Sequence, residues 1–194
     1  MASVDISPLH EELIKLYREY RDTKSIDSKA EFFSEECHQI CRADPDYAAK
    51  DRGTILRFLR ESGEVFARIY SEAGWDISEM DPGSVKSFYT MRPLEGAERD
   101  DFATMRELAP AGFASLEEVR DKAKAEKWEG LRVNMWTEDS QGRGILVKVQ
   151  YWWRKESEGK DGGEWKQILH DIMFLGPVDG TERDGGGILV QEGF

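Results

Sequence analysis

Ile145-Leu146-Val147-Lys148-Val149-Gln150-Tyr151-Trp152-Trp153-Arg154-Lys155-Glu156 is the stretch that decides the fold. On a strand, alternate side chains point to opposite faces. Ile145, Val147, Val149, Tyr151 and Trp153 therefore share one face, and Lys148, Gln150 and Arg154 share the other with Leu146 and Trp152. The first face is too apolar to stand in water and must be covered. Two more strand-like runs flank it, residues 131–138 and 165–175, across turns rich in Gly, Asp and Ser. Together they predict an antiparallel meander. In the last run Lys166, Ile168, His170, Ile172 and Phe174 fall on one face, opposite Trp165, Gln167, Leu169, Asp171, Met173 and Leu175. If Ile168, Ile172 and Phe174 look inward, His170 looks inward with them. A fourth strand is expected over 87–94, with Phe88, Thr90 and Arg92 on one side and Tyr89 and Met91 on the other.

Upstream the period changes from two to 3.6. Ser7-Pro8 is a helix cap followed by proline at the first helical position, and Leu9, Leu13, Leu16, Tyr17 and Tyr20 recur at helical spacing, which predicts a helix over 8–21. Ser28-Lys29-Ala30-Glu31 fits a capping box, so a second helix is expected from Ser28 to about residue 36, burying Phe32 and Phe33. Residues 37–42 are read as a short strand before the Asp44-Pro45-Asp46 turn. A third helical pattern passes through Ile55, Phe58 and Leu59, breaks near Ser62-Gly63 and resumes at Val65, Phe66, Ile69 and Tyr70. Residues 95–129 read as an acidic helical insertion with a second capping box at Ser115–Glu118, and residues 177–194 as a loosely attached tail apart from the apolar Ile188-Leu189-Val190. Helices first and long strands last make an α+β architecture, one domain over 1–176, with helices covering one side of a curved antiparallel sheet.

Composition excludes several classes of partner. Of 194 residues, 39 are acidic and 27 basic, a net charge of −12 that repels nucleic-acid backbones and anionic lipid, so neither nucleic acid nor membrane is expected as a partner. The amino terminus has no basic stretch followed by an apolar one, and a cytoplasmic location is the expectation. Cys37 and Cys41 would stand about 13 Å apart on a strand, beyond disulfide reach, although a helix would bring them closer. With one adjacent histidine they lack the ligands of a closed metal site, and no metal is expected. No nucleophile elbow and no phosphate-binding loop occurs, His10-Glu11-Glu12-Leu13-Ile14 lacks the second histidine of a zinc protease, and no cofactor is expected.

The order of parts is familiar. Tyr17-Arg18-Glu19-Tyr20-Arg21-Asp22-Thr23-Lys24 closes the first helix, Phe32-Phe33-Ser34-Glu35-Glu36-Cys37 follows, Thr54-Ile55-Leu56 opens a third helix, and the last strand reads Trp165-Lys166-Gln167-Ile168-Leu169-His170. This resembles the SnoaL-like branch of the nuclear transport factor 2-like superfamily, particularly its fungal members, over roughly residues 9–72 and 86–176. The resemblance implies a cone, with helices packed on the concave face of a bent sheet and a pocket at the open end. It implies a range of activities that includes polyketide cyclase, ketosteroid isomerase, scytalone dehydratase and epoxide hydrolase, beside members that only bind or dimerise. Asp22 falls where scytalone dehydratase-like sequences carry Asp-Ser-Lys, and His170 where SnoaL-like sequences place a histidine after a Trp-Lys or Trp-Arg pair. The insertion at 95–129 departs from the family pattern and is expected to cap or narrow the pocket mouth.

The chemistry follows. Isomerisation, dehydration and ring closure need a base and an acid about a ligand in an apolar cavity, and Asp22 and His170 are the expected pair. Tyr20, Tyr89 or Tyr151 would donate to a developing enolate oxygen, Phe88, Tyr151 and Trp153 would wall a flat ligand, and Arg92 would anchor a carboxylate or phenolate. Each has an ordinary competitor: Asp22 as a surface partner of Arg18 or Lys24, His170 as a core histidine bonded to a carbonyl, Arg92 in a salt bridge, the aromatics as core. The expected function is a cofactor-independent isomerase, dehydratase or cyclase acting on a small apolar polyketide- or terpenoid-like ligand. The alternative is a non-catalytic binding or dimerisation module, with Trp152 marking a homodimer surface on the outer sheet face.

Overall fold

A computed structural model describes residues 6–79, 81–156 and 163–192. Six strands form one sheet in the order β1-β5-β4-β3-β2-β6: β1 is Phe33–Cys41, β2 Lys86–Pro93, β3 Glu129–Glu138, β4 Ile145–Glu156, β5 Glu164–Pro177 and β6 Ile188–Glu192. Every neighbouring pair is antiparallel except β1 with β5, which run parallel. The sheet is curved and open, and helices α1 (Pro8–Asp22) and α3 (Arg52–Glu72) cover its inner face. The architecture is the expected α+β one.

α1 begins where the sequence indicates. Ser7 caps it, its hydroxyl accepting from the His10 amide, and Pro8 supplies a preset first turn. Leu13, Ile14, Tyr17 and Tyr20 fall on one stripe and are buried against Tyr89, Tyr151 and Phe33 of the sheet. α3 runs unbroken through Ser62 and Gly63, where an interruption was expected. Its buried residues Ile55, Val65, Ile69 and Tyr70 keep the helical period across that point, and the Ser62 hydroxyl is absorbed by donating to the Leu59 carbonyl at 2.9 Å.

The expected second helix is reduced to one turn, α2 (Ile26–Lys29), followed by a 3-10 turn over Ala30–Phe32. Its cap is Ser25, which accepts from the Ser28 amide at 3.3 Å, and not Ser28. From Phe33 onward the chain is already β1, because Phe33 lies opposite Gln167 of β5 and inserts into the inner core, where it is 1% exposed. Parallel pairing outweighs the local helical preference.

Period two also fails at two points on β5. Trp152 and Trp153 of β4 lie opposite Leu169 and Gln167, and Lys148 and Val149 lie opposite Phe174 and Ile172, so Ile168 and Met173 are each an extra residue. Each bulge resets which side chains look inward. Ile168 packs in the outer cluster and Phe174 stands opposite the outer-facing Lys148, contrary to the expectation that both look inward, while Gln167 shares the inner face with His170 and Ile172.

The insertion does not reach the pocket mouth. Its α4 (Met105–Leu108) and α5 (Leu116–Ala125) pack on the outer face, where Phe102, Leu108, Phe113, Val119 and Trp128 bury Trp152, Ile168 and Leu169. Phe102 stacks on Trp152 with centroids 4.6 Å apart, and Trp152 is 2% exposed. The residue that suggested a homodimer surface is thus covered by the chain itself, which removes the reason for placing an interface there. Residues 177–194 also differ from a loose tail. Asn134 and Lys148 donate to Asp184, Arg92 donates to the Gly185 carbonyl, and Ile188–Glu192 then pairs with β2 as the sixth strand. Gly187 permits this approach: its φ is +89°, and a Cβ there would lie 2.2 Å from the Met91 carbonyl oxygen. No helix among the described residues is long and apolar enough to cross a membrane.

Candidate functional site

A cavity of about 360 Å³ lies between α1, α3 and the inner face of the sheet. α3 contributes Phe58, Leu59, Val65 and Phe66; the sheet contributes Val147, Val149, Tyr151, His170 and Ile172; the last turn of α1 contributes Tyr20 and Arg21. The size and the mainly apolar lining with a few polar groups are those of a small-molecule site. Among the described residues no Asp or Glu lines it.

His170 is 4% exposed and is held on three sides. The rings of Phe33 and Tyr151 meet it edge-on, each 5.0 Å away, and its Nε2 lies 2.6 Å from Gln167 Oε1. Burial away from any opposite charge pushes its pKa down to about 3, so the ring is neutral across the physiological range. A carboxamide oxygen only accepts, so this contact calls for the proton on Nε2; Nδ1 has no hydrogen-bond partner among the described residues, and the Gln167 amide nitrogen is likewise buried without one. Tyr20 and Tyr151 are held well above the usual phenol range by burial and stay protonated hydrogen-bond donors.

Arg21 lies at the opposite wall. Its Nε and Nη2 donate to the two carboxylate oxygens of Glu192 at 2.8 and 2.7 Å, and Nη1 meets only the Met135 sulfur at 3.4 Å. Ser87 also donates to Glu192, at 2.5 Å. The pair holds the Glu192 carboxyl below its usual range against the effect of burial. Lys29 sits over the Tyr20 ring at 4.1 Å and donates to the Tyr20 carbonyl, and burial and the nearby Arg21 lower its pKa to about 8.

Of the expected site residues, His170, Tyr20 and Tyr151 meet at this cavity. Asp22 does not: it is exposed at the end of α1, so the structure does not bring the Asp22 and His170 pair together. The helical period explains this. Arg21 is one turn beyond the buried Tyr17, whereas Asp22 is rotated about 200° from Tyr20. The same arithmetic on the sequence points to Arg21. Phe88 stacks on Trp136 with centroids 5.4 Å apart, and Arg92 is paired with Glu98 through both terminal nitrogens at 2.6 and 2.8 Å. Tyr89 and Trp153 are inner-face core, 2% and 0% exposed, and do not line the cavity. Gln167 went unrecognised because strict alternation places it on the outer face, and only the bulge at Ile168 reverses that. Glu192 went unrecognised because it follows a glycine-rich stretch.

The remaining groups are structural. Cys37 and Cys41 are free and buried, and His38 bonds the Ala111 carbonyl through Nδ1 at 2.9 Å beside Phe113. A larger hollow of about 750 Å³ lies at the ends of β1, β4 and β5, lined by Glu35, Glu36, Arg52, Arg154 and Glu156. Most of its charges are engaged with one another: Arg154 pairs with Glu36, Glu126 and Glu156, Arg52 with Glu35, and Lys166 with Glu164. The smaller cavity is therefore the better site, since it holds a neutral imidazole and hydrogen-bond donors in a dry wall. Among the described residues no group of three or more His, Cys, Asp and Glu is arranged to hold a metal ion.

A family model described as a SnoaL-like domain matches residues 2–191. Among solved structures the chain is similar to ActVI-ORFA from Streptomyces coelicolor, with 13% identity and a TM-score of 0.40, covering 86% of this chain and 97% of that one. No curated protein matches it.

Proposed function

The chain belongs to the SnoaL-like family, and from that premise we propose that it is a cofactor-independent enzyme of secondary-metabolite type, an isomerase, dehydratase or cyclase acting on a small apolar polyketide- or terpenoid-like molecule. The observation that carries this reading is His170, a neutral imidazole that lines an apolar 360 Å³ cavity and whose one hydrogen bond among the described residues is through Nε2. Nδ1 takes a proton from the ligand, and the resulting negative charge develops on a ligand oxygen. Arg21 Nη1 and the hydroxyls of Tyr20 and Tyr151 are the donors for that oxygen.

The low proton affinity of His170 narrows the substrate. Each pKa unit between acid and base adds about 1.4 kcal/mol to proton transfer. A simple ketone is then too weak an acid, and the carbon to be deprotonated is one flanked by a second carbonyl or an aryl ring. Forming imidazolium beside an enolate in a dry site offsets part of the mismatch, because opposite charges attract strongly there. A flat, polyoxygenated aromatic or pre-aromatic skeleton meets both requirements, the acidic carbon and the apolar wall.

One observation favours a second reading, a ligand-binding module of the same fold: no carboxylate lines the cavity among the described residues, so no second acid-base group faces His170. Deuterium exchange at C1 of 2-tetralone, followed by proton NMR, separates the two. The enzyme reading expects acceleration over buffer by roughly 10²–10⁴-fold, the usual yield of a placed base. It expects background rate in His170→Ala and the full rate in Asp22→Asn. Binding of 2-tetralone without acceleration supports the module.

A further inference from the structure

We propose that Gln167 is the positioning residue of this site: its carboxamide oxygen fixes the proton of His170 on Nε2 and so presents a bare Nδ1 to the cavity. Three observations carry this. Nε2 and Oε1 are 2.6 Å apart, and both residues are essentially sealed from solvent, at 4% and 0% exposure. The bulge at Ile168 is what turns Gln167 to the inner face, opposite Trp153 and one bulge away from His170. Residues 167 and 170 on a regular strand would point to opposite faces and could not meet. The backbone irregularity and the hydrogen bond are thus one device, since unbulged pairing of this sequence would set Ile168, not Gln167, opposite Trp153 on the inner face beside the imidazole.

The other groups around the ring do not compete for this role. Phe33 of β1 and Tyr151 of β4 meet the imidazole with ring faces and edges, not with lone pairs. The titratable groups in this part of the interior are Tyr17 and Tyr20 from α1, Cys37 from β1 and Tyr151 from β4, and burial holds all four in their neutral forms. The cation Arg21 lines the same cavity from α1, but its charge is matched by Glu192. The catalytic meaning of the arrangement rests on the reading of His170 as the base. The arrangement itself does not. Once Nδ1 takes a proton, both ring nitrogens are donors, and the Gln167 oxygen keeps accepting from Nε2 throughout, so nothing has to rearrange during proton transfer.

Long-range ¹H–¹⁵N spectra of the three histidines test this without a substrate, the His170 signals being assigned by their loss in His170→Ala. The expected result for the parent protein is a neutral ring with the proton on Nε2, the nitrogen coupled to both carbon-bound ring protons, unchanged from pH 8 to pH 5. Gln167→Leu removes the acceptor without adding a charge and is expected to release the proton to a mixture of both nitrogens. Gln167→Glu keeps an acceptor and adds a carboxylate, and is expected to raise the His170 titration midpoint by about 1–3 units. A merely structural glutamine would move neither signature in a variant that keeps its native circular dichroism. A proton found on Nδ1 of the parent, or an unmoved tautomer in Gln167→Leu, overturns the proposal. If the tautomer behaves as expected but 2-tetralone exchange is absent, the base reading fails and the positioning role stands.

Discussion

Removing the Glu192 carboxylate tests whether the end of the chain is part of the fold and of the site. In Glu192→Ala, Arg21 loses the partner of its Nε and Nη2, bonds of 2.8 and 2.7 Å, and keeps only the Met135 sulfur at 3.4 Å; Ser87 loses its acceptor as well. Breaking a fully buried pair from one side costs about 3–5 kcal/mol, because the remaining charge is left desolvated. The Arg21 and Glu192 side chains are 22% and 21% exposed, so water recovers part of this, and a loss of about 2–3 kcal/mol is expected. With a urea dependence of about 2 kcal/mol per molar, the unfolding midpoint at pH 7 falls by roughly 1 M. The pH dependence gives an independent check. The folded Glu192 pKa is depressed, so its contribution is complete above the unfolded value of about 4.3 and disappears as pH falls through the folded value. The two denaturation curves should converge in acid. A midpoint equal to that of the parent at neutral pH, or a difference that stays constant as the pH is lowered, would refute the claim that β6 clamps Arg21 to the sheet.

Three further outcomes are expected. Gly63→Ala should stabilise the protein by about 0.5–1 kcal/mol in urea, since Gly63 is exposed within α3 and a Cβ there meets nothing within 4 Å; destabilisation would mean the helix is not continuous. Trp152→Ala should cost about 3–5 kcal/mol, and a double-mutant cycle with Phe102→Ala should show coupling of about 0.5–1.5 kcal/mol beyond area; a near-zero cost would place Trp152 on a free surface. Because the folded His170 pKa is about 3 and its ordinary value 6.5, the unfolded chain binds the extra proton between those values, so His170 lowers stability as pH falls through that window. About 2 kcal/mol should be lost at pH 5 relative to pH 7, and His170→Gln should remove that part of the slope; a parent and variant of equal slope would contradict the buried neutral ring.

How much of this the sequence reveals depends on how each element is stabilised. β3, β4 and β5 are legible because each is a run of ten or more residues rich in β-branched and aromatic side chains, and α1 because cap, proline and apolar stripe agree. β1 is legible only in its second half, where a strand over 37–42 is expected; residues 33–36 follow the helical start signal at residues 28–31, and only the distant β5 pulls Phe33 into the strand. β6 is not, because a five-residue strand beside glycines has no local signal and is defined by the edge of β2. The insertion reads as helical, but nothing in its residues says which face of the sheet it covers. For the site, burial is legible and register is not: His170, Tyr20 and Tyr151 follow from apolar neighbours, whereas Gln167 depends on an extra residue that an alternating pattern cannot record.

The register shift also explains why the cavity is a site and not a packing defect. A tightly packed inner face would fill the interior, and where Tyr17 of α1 packs on Tyr151 it does so, with Tyr17, Phe33 and Trp153 at most 1% exposed. Towards the other end the second bulge, at Met173, takes Phe174 out of the interior and leaves Ile172 and Leu175 as the inward residues. Leu175 thereby takes the inward place that regular alternation would give Phe174, and the space between Ile172, Leu175 and Phe58, Val65 and Phe66 is the cavity. One bulge on β5 thus opens the hollow and the other orients the imidazole that faces it.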